Sequence, residues 1–171
     1  FQFTFVTPLG TNGIYSHQTT NNISINLLAG VSRGVNGCEV GTLANVVLKD
    51  VNGAQFVGFA NVVLGHVHGG QFAGYLNFSG SNVRGVQFAG LGNICHGELH
   101  GGQFAAGFNI NRGGGKGIQV AGHTNVMAGD FKGTQVACGA NIATGDLDGS
   151  QISVGFNYAR KVKGLQIGFI N

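Results

Sequence analysis

The sequence is short of charge, proline and tryptophan. Charged residues make up 9% of the 171 residues, and there are one proline and no tryptophan. A typical domain has about 25% charged residues. The net charge of +3 comes from scattered residues rather than a run, so the sequence does not indicate nucleic-acid binding. No apolar run approaches the ~18 residues of a membrane-spanning helix. What is present is glycine, at 33 residues, together with 43% apolar residues, which is enough to drive folding.

A sixteen-residue unit repeats from about Asn22 to the C-terminus, and Val86 to Gly101 is a clear copy. With Cys38 counted as position one, glycine closes each unit at position sixteen. Glutamine recurs at position two, in Gln55, Gln71, Gln87, Gln103, Gln119, Gln135 and Gln151, and Gln166 follows after a one-residue deletion. Asparagine recurs at position eight, in Asn45, Asn61, Asn77, Asn93, Asn109, Asn125, Asn141 and Asn157.

This unit predicts an all-β, single-domain parallel β-solenoid, or β-helix, of about nine coils. Sixteen residues cannot hold two helices with their connections, and repeated glycine costs a helix about 1 kcal/mol per residue. Columns at positions three, nine and fourteen carry Val, Ile and Phe, which favour strands. Residues 1–21 lie outside the repeat and are interpreted as an N-terminal cap of strand and loop. Residues 22–171 are the predicted solenoid, which stops in mid-unit, so its C-terminal end is expected to be open or truncated.

The sequence leaves open which of positions two and three faces the interior. Neighbouring residues of a strand point to opposite sides, so only one column can face in. We prefer the phenylalanines inside, because an exposed apolar stripe is rare on a soluble monomer. The glutamines would then form an exposed amide ladder, and the asparagines a turn ladder, since Asn tolerates left-handed backbone. The core column on this interpretation is Phe56, Phe72, Phe88 and Phe104.

The three cysteines, Cys38, Cys95 and Cys138, are expected to be free thiols. They lie three coils apart, which is roughly 14 Å at the strand spacing of a sheet. A disulfide requires Cα atoms within about 7 Å.

Charged residues of the repeat lie at positions eleven to fifteen, with the single exception of Glu39. This pattern predicts a solvated edge and a nearly charge-free surface over positions one to ten. Depleted charge marks the core of an interface. The surface is therefore either the neutral side of a thin solenoid or a docking face for a protein, a glycan or a membrane surface.

His96, Glu98 and His100 are the weak candidates for a metal site. Their side chains alternate along one strand, and Zn²⁺ accepts such donors. Strand residues two apart are, however, about 6.6 Å from each other at the backbone, so we interpret the three as ordinary polar residues and predict no metal and no cofactor. Neither Ser nor Cys has a spacing to His that would build a catalytic triad, and we predict that the chain is not an enzyme.

The segments GVQFAGLGNI, GAQFVGFANV and KGLQIGFIN resemble the G-x-Q-h-x-G-x-x-N repeats of a bacterial outer-surface repeat family of the Leptospira/Bacteroidetes type. The opening FTFVTPLGTNG also looks like the mature N-terminus of its Bacteroidetes members. The resemblance covers nearly the whole chain and implies export and an extracellular or outer-surface location. It offers no catalytic residues to carry over.

Three hypotheses for function follow. The leading one is a non-enzymatic, exported surface module with a structural or adhesion-like role. Such a module would self-associate, end to end or through its charge-poor face, or would bind another surface protein or a glycan. The first alternative is a glycan-binding or glycan-cleaving β-helix that uses the histidine edge and Asp130, Asp146 and Asp148; exposed stacked aromatics beside carboxylates would favour it. The second is an outer-membrane-associated β-protein, with membrane contact but no spanning helix.

Overall fold

A computed structural model describes residues 1–171, and it is a parallel β-solenoid of about nine coils. Strands pair in parallel with the residue sixteen positions along the chain, as Gln87 does with Gln103 and Phe88 with Phe104. The fold class and the period predicted from the repeat are confirmed.

Each central coil contributes one seven- or eight-residue strand and one four-residue strand, joined by two bends. The N-terminal elements are β1 (Gln2–Val6), β2 (Leu9–Gly10), a 3₁₀ helix (Gly13–Gln18) and β3 (Thr20–Ser32). The longer strands form the wide sheet: β4 (Gly34–Gly41), β6 (Val51–Val57), β8 (Val67–Ala73), β10 (Val83–Ala89), β12 (Leu99–Ala105), β14 (Gly115–Ala121) and β16 (Phe131–Ala137). The shorter strands form the narrow sheet: β5 (Ala44–Val47), β7 (Ala60–Val63), β9 (Leu76–Ser79), β11 (Gly92–Cys95), β13 (Phe108–Asn111) and β15 (Thr124–Met127). The last coils are drawn from β17 (Ala140–Ser153) and β18 (Phe156–Ile167).

The interior is lined by glutamine, not phenylalanine. Gln87 is fully buried, whereas 40% of Phe88 is exposed. The predicted core column of Phe56, Phe72, Phe88 and Phe104 is therefore wrong, because all four rings lie on the outer side of the wide sheet and are exposed or half-buried. Glutamine and phenylalanine do point to opposite sides of the strand as predicted, but the glutamines face the interior and the phenylalanines face outward.

Hydrogen bonding explains why the amides can lie inside. The width of one amide plus one hydrogen bond matches the strand spacing of about 4.8 Å, so identical amides in successive coils bond directly. Gln87 Nε2 donates to Gln71 Oε1 at 2.6 Å, and Gln103 Nε2 donates to Gln87 Oε1 at 2.7 Å. No side-chain N or O atom of either ladder is buried without a partner. The usual cost of burying polar groups is thereby avoided.

The asparagines form a second internal ladder rather than a turn ladder. Asn77 lies in β9 and is fully buried. Its Nδ2 donates to Asn93 Oδ1 at 2.9 Å and to the backbone oxygen of Phe88 at 2.7 Å, which ties the narrow sheet to the wide sheet. No residue other than glycine has a positive φ, so the left-handed backbone expected for these asparagines does not occur.

The two ladders donate in opposite directions along the axis. Each glutamine from Gln71 onward donates to the glutamine one coil earlier. Each asparagine from Asn45 onward donates to the asparagine one coil later. The side-chain dipoles of the two ladders therefore oppose each other, and their fields partly cancel.

An apolar half of the interior lies beside the amides. It consists of positions ten and fourteen, where Val83, Cys95 and Leu99 are fully buried; Ser79 and Asn111 are buried polar members of position ten. Of the three apolar columns in the sequence, only position fourteen faces in as expected. Position nine, which includes Ile94 and Ile110, lies half-buried on the outer side of the narrow sheet.

Glycine at position sixteen is required by close packing of the coils. Gly101 has φ +142°, and a Cβ built on it would lie 1.9 Å from the backbone oxygen of Gly85. No other residue fits, because its Cβ would overlap this backbone oxygen. The same contact recurs from Gly53 to Gly164, each time with the glycine of the coil before.

The predicted N-terminal cap contains a partial coil of its own. Gln2 of β1 pairs in parallel with Ser24 of β3, and Thr4 pairs with Gly10 of β2 in antiparallel orientation. Strand β2 therefore covers the outer edge of β1. The first coil has no asparagine at position eight. Asn26 supplies the missing amide, since its Nδ2 donates to Asn45 Oδ1 at 3.0 Å.

Candidate functional site

The exposed phenylalanines form a continuous stack, which we call the aromatic stripe (Phe56, Phe72, Phe88 and Phe104). Successive ring centroids are 4.9, 5.4 and 4.6 Å apart, and the ring planes are within 10° of parallel. The stack follows from the repeat, because in-register parallel strands place identical residues one strand spacing apart. Aliphatic residues extend the column at Val40 and Val120.

An open apolar groove of about 690 Å³ runs along the stripe. Besides the four rings, its walls come from small or aliphatic residues of the wide sheet and of the bend after β8: Val40, Gly41, Val57, Ala73, Gly74, Ala89, Ala105 and Val120. No ionisable group lines it. The groove can therefore make apolar contacts but offers no acid, base or nucleophile for a reaction.

A column of basic residues lies on the same side of the wide sheet. Position fifteen places Arg84, His100, Lys116 and Lys132 in successive registers, and we call these the basic column. Within β10, Arg84 and Phe88 are exposed while Val83 and Gln87 are buried, so the cation and the ring share one face. The predicted solvated edge is thus divided: positions eleven to thirteen lie at the bend, and position fifteen lies on the wide sheet.

The C-terminal coils carry an open cleft of about 500 Å³ with mixed charge. Its ionisable residues are Asp130, Lys132, Asp146, Asp148, Lys161 and Lys163. Lys132 Nζ lies 3.5 Å from Asp148 Oδ2, and Arg160 Nε donates to Asp146 Oδ1 at 2.8 Å. The carboxylates that were considered for glycan chemistry are therefore paired with cations. The aromatic stripe lies in earlier coils, so the rings are not beside them.

His96, Glu98 and His100 do not converge on one point. His100 Nε2 lies 3.4 Å from Glu98 Oε2, whereas His96 packs edge-on against Phe78 with centroids 5.0 Å apart. No group of three or more His, Cys, Asp or Glu side chains in residues 1–171 is arranged to hold a metal ion.

Glu39 is a buried carboxyl group at the N-terminal end of the glutamine ladder. Its Oε2 accepts a hydrogen bond from Gln55 Nε2 at 2.7 Å, and its Oε1 accepts one from Asn26 Nδ2 at 3.1 Å. Burial raises the pKa of the Glu39 carboxyl, and hydrogen bonds from Gln55, Asn26 and Ser24 oppose that rise. Glu39, the one charged residue of the repeat outside positions eleven to fifteen, therefore belongs to the hydrogen-bond network of the interior.

All three cysteines are free, as predicted. Cys95 is buried among the apolar residues, and desolvation raises the pKa of its thiol to about 11. Cys138 is exposed at a bend.

Sequence reasoning missed the aromatic stripe as a surface and the basic column as part of the same face. The sequence held no signal for the first, because Phe3 and Phe5 alternate with Gln2 and Thr4 in β1 in the same way whichever side is buried; the structure buries the polar pair. For the second, position fifteen and position three are separated by an even number of residues, which places them on one side of a strand.

No helix of the chain has the length and hydropathy needed to cross a bilayer. Comparisons with protein-family models, with curated proteins and with solved structures find no match to this chain.

Proposed function

We propose that the protein is a non-enzymatic surface module that attaches to a partner through the aromatic stripe. The observation that carries the proposal is the inside-out arrangement of the coil, in which amides are buried and Phe56, Phe72, Phe88 and Phe104 face outward. A soluble monomer rarely carries a contiguous apolar patch of this kind without a use for it.

The absence of charge around the stripe supports attachment rather than catalysis. Positions one to ten of the repeat carry one charged residue, Glu39, and that residue is buried. An interface core is depleted in charge and enriched in aromatic residues. Lateral attachment is the form of association that this face supports, whereas β2 covers the edge of β1 at the N-terminal end alone.

The glycan alternative has less support. Sugars stack on the flat faces of aromatic rings, but each inner ring of the stripe has both faces against its neighbours at 4.6–5.4 Å. Export to the bacterial surface is part of the proposal and rests on the family resemblance; cell fractionation with surface proteolysis tests it.

The double variant Phe72→Thr, Phe88→Thr tests the attachment surface. We expect it to lose retention on a phenyl matrix and to lose any concentration-dependent association in sedimentation velocity across the micromolar range. The matched control is Ile94→Thr, Ile110→Thr, which removes apolar groups from the outer side of the narrow sheet. Equal behaviour of the wild type and both double variants would contradict the proposal.

A further inference from the structure

The basic column is electrostatically unbalanced in the isolated protein. Arg84, His100, Lys116 and Lys132 occupy adjacent registers of a parallel sheet, about 4.8 Å apart. Lys116 and Lys132 are directly opposed, and like charges in such positions destabilise a sheet. Lys132 has Asp148 at 3.5 Å, but no carboxylate of the chain lies within ion-pair distance of Arg84 or Lys116.

Two acidic residues reach this column: Glu98 lies 3.4 Å from His100, and Asp148 lies 3.5 Å from Lys132. Asp50, Glu98, Asp130 and Asp146 stand at position thirteen, just before the strands of the wide sheet begin. Asp148 is the one acid in the column's own registers. An anionic partner placed against the wide sheet would therefore pair with Arg84 and Lys116, the two cations of the column that have no carboxylate within ion-pair distance.

The basic column and the aromatic stripe together give the wide sheet an amphipathic outer face. Positions fifteen and three are four residues apart along one strand, which is about 13 Å. Arg and Lys keep their charged ends in a polar layer while their stems cover apolar surface. With the rings at the acyl boundary of a membrane, the cations would stand at the level of the lipid headgroups.

Resting on the proposed function, we infer that the partner of the aromatic stripe is a membrane surface that contains anionic lipids. The solenoid contacts this surface through its wide sheet, with the strands inclined so that the ring-bearing end of each strand lies deeper than the basic end. Phe72 and Phe88 contact the acyl region, and Arg84 and Lys116 contact the headgroup phosphates. A second copy of the chain is less well matched, because it would bring no excess of negative charge to the basic column.

Vesicle co-sedimentation tests the lipid partner. The full chain is mixed with vesicles of phosphatidylglycerol and phosphatidylcholine in equal parts, and separately with vesicles of phosphatidylcholine alone. We expect binding to the anionic vesicles that weakens as salt is added. Arg84→Gln, Lys116→Gln should lower the partition coefficient about 25-fold, since each cation near an anionic surface contributes about fivefold. Lys49→Gln, Arg112→Gln removes the same charge from the bend and should leave most of the binding intact.

A tryptophan reporter tests the orientation, because the chain contains no tryptophan of its own. Phe88→Trp should show a blue shift of its emission with anionic vesicles, whereas Ile142→Trp on the narrow sheet should show none. Circular dichroism of each variant confirms the fold.

Three results would overturn the inference: no binding to anionic vesicles, equal loss in the two charge variants, or a blue shift at Ile142→Trp alone. If vesicles fail to bind while Phe72→Thr, Phe88→Thr still abolishes self-association or phenyl retention, the lipid partner is wrong and the attachment surface stands. If those variants change nothing in any assay, both proposals fail.

Discussion

Gln55 donates a hydrogen bond from Nε2 to Oε2 of Glu39 at 2.7 Å, and with this contact the glutamine ladder ends on a buried carboxyl group. Every later member of the ladder donates to a neutral amide oxygen. Glu39 is therefore the one carboxyl group in the interior. Gln55 and Asn26 both donate hydrogen bonds to it.

Glu39→Gln should stabilise the protein at neutral pH. The pKa of Glu39 in the folded chain is raised above its ordinary value of 4.5, so the folded chain retains a proton that the unfolded chain has released. This contribution to stability is fully present below pH 4.5 and is lost as the pH rises through the raised pKa. Urea unfolding of wild type and variant at several pH values should give midpoints that diverge as the pH increases.

The exposed Glu98→Gln is the control for that experiment and should leave the pH dependence nearly unchanged. A Glu39→Gln midpoint below the wild type at every pH would show instead that the ionised carboxylate is required as an acceptor.

Gln87→Leu should cost more stability than Phe88→Thr, although the two residues are neighbours. The leucine leaves Gln103 without its acceptor and Gln71 Oε1 without its donor. Two buried unpaired groups cost about 2–6 kcal/mol together. Phe88→Thr removes two stacking contacts at about 0.5–1.5 kcal/mol each, from a ring that is already 40% exposed. Chemical unfolding measures both values. The reverse order would mean that the phenylalanines and not the glutamines form the interior.

Gly101→Ala should destabilise the fold severely. The backbone has φ +142°, and the added Cβ would meet the oxygen of Gly85 at 1.9 Å. The conformational strain alone costs about 1–3 kcal/mol, and the clash adds to it because backbone cannot move aside as a side chain can. Gly34→Ala is the control, since its nearest contact is 3.2 Å. Circular dichroism and the soluble yield compare the two, and a fully folded Gly101→Ala would contradict the packing described.

Cys95 should resist alkylation in the folded protein, while Cys138 reacts quickly. The thiolate is the reactive form, and burial raises the pKa of Cys95 to about 11. Maleimide labelling near pH 8, followed by mass spectrometry of peptides, gives the modified fraction at each site. In urea, where the chain is unfolded, all three thiols should be labelled at the same rate. Rapid native labelling of Cys95 would indicate that the apolar half of the interior opens readily.

The sequence by itself determined the period, the parallel pairing and the identity of each column. Gln87 and Gln103 are sixteen residues apart, and only a coil of that length places all glutamines in one register. Because position sixteen must be glycine and the columns favour strands, the solenoid could be predicted without coordinates. Free cysteines followed from the same spacing.

Only the tertiary structure decided which side of each strand is the inside. Alternation puts Gln87 and Phe88 on opposite sides in either case, and the choice depends on how amides of different coils bond across the interior. The tertiary structure also decided that the face that Arg84 and Phe88 share is the outer face of the wide sheet. The general rarity of exposed apolar stripes favoured the wrong side, because that rule takes no account of a continuous amide ladder, which leaves almost no buried polar group unsatisfied.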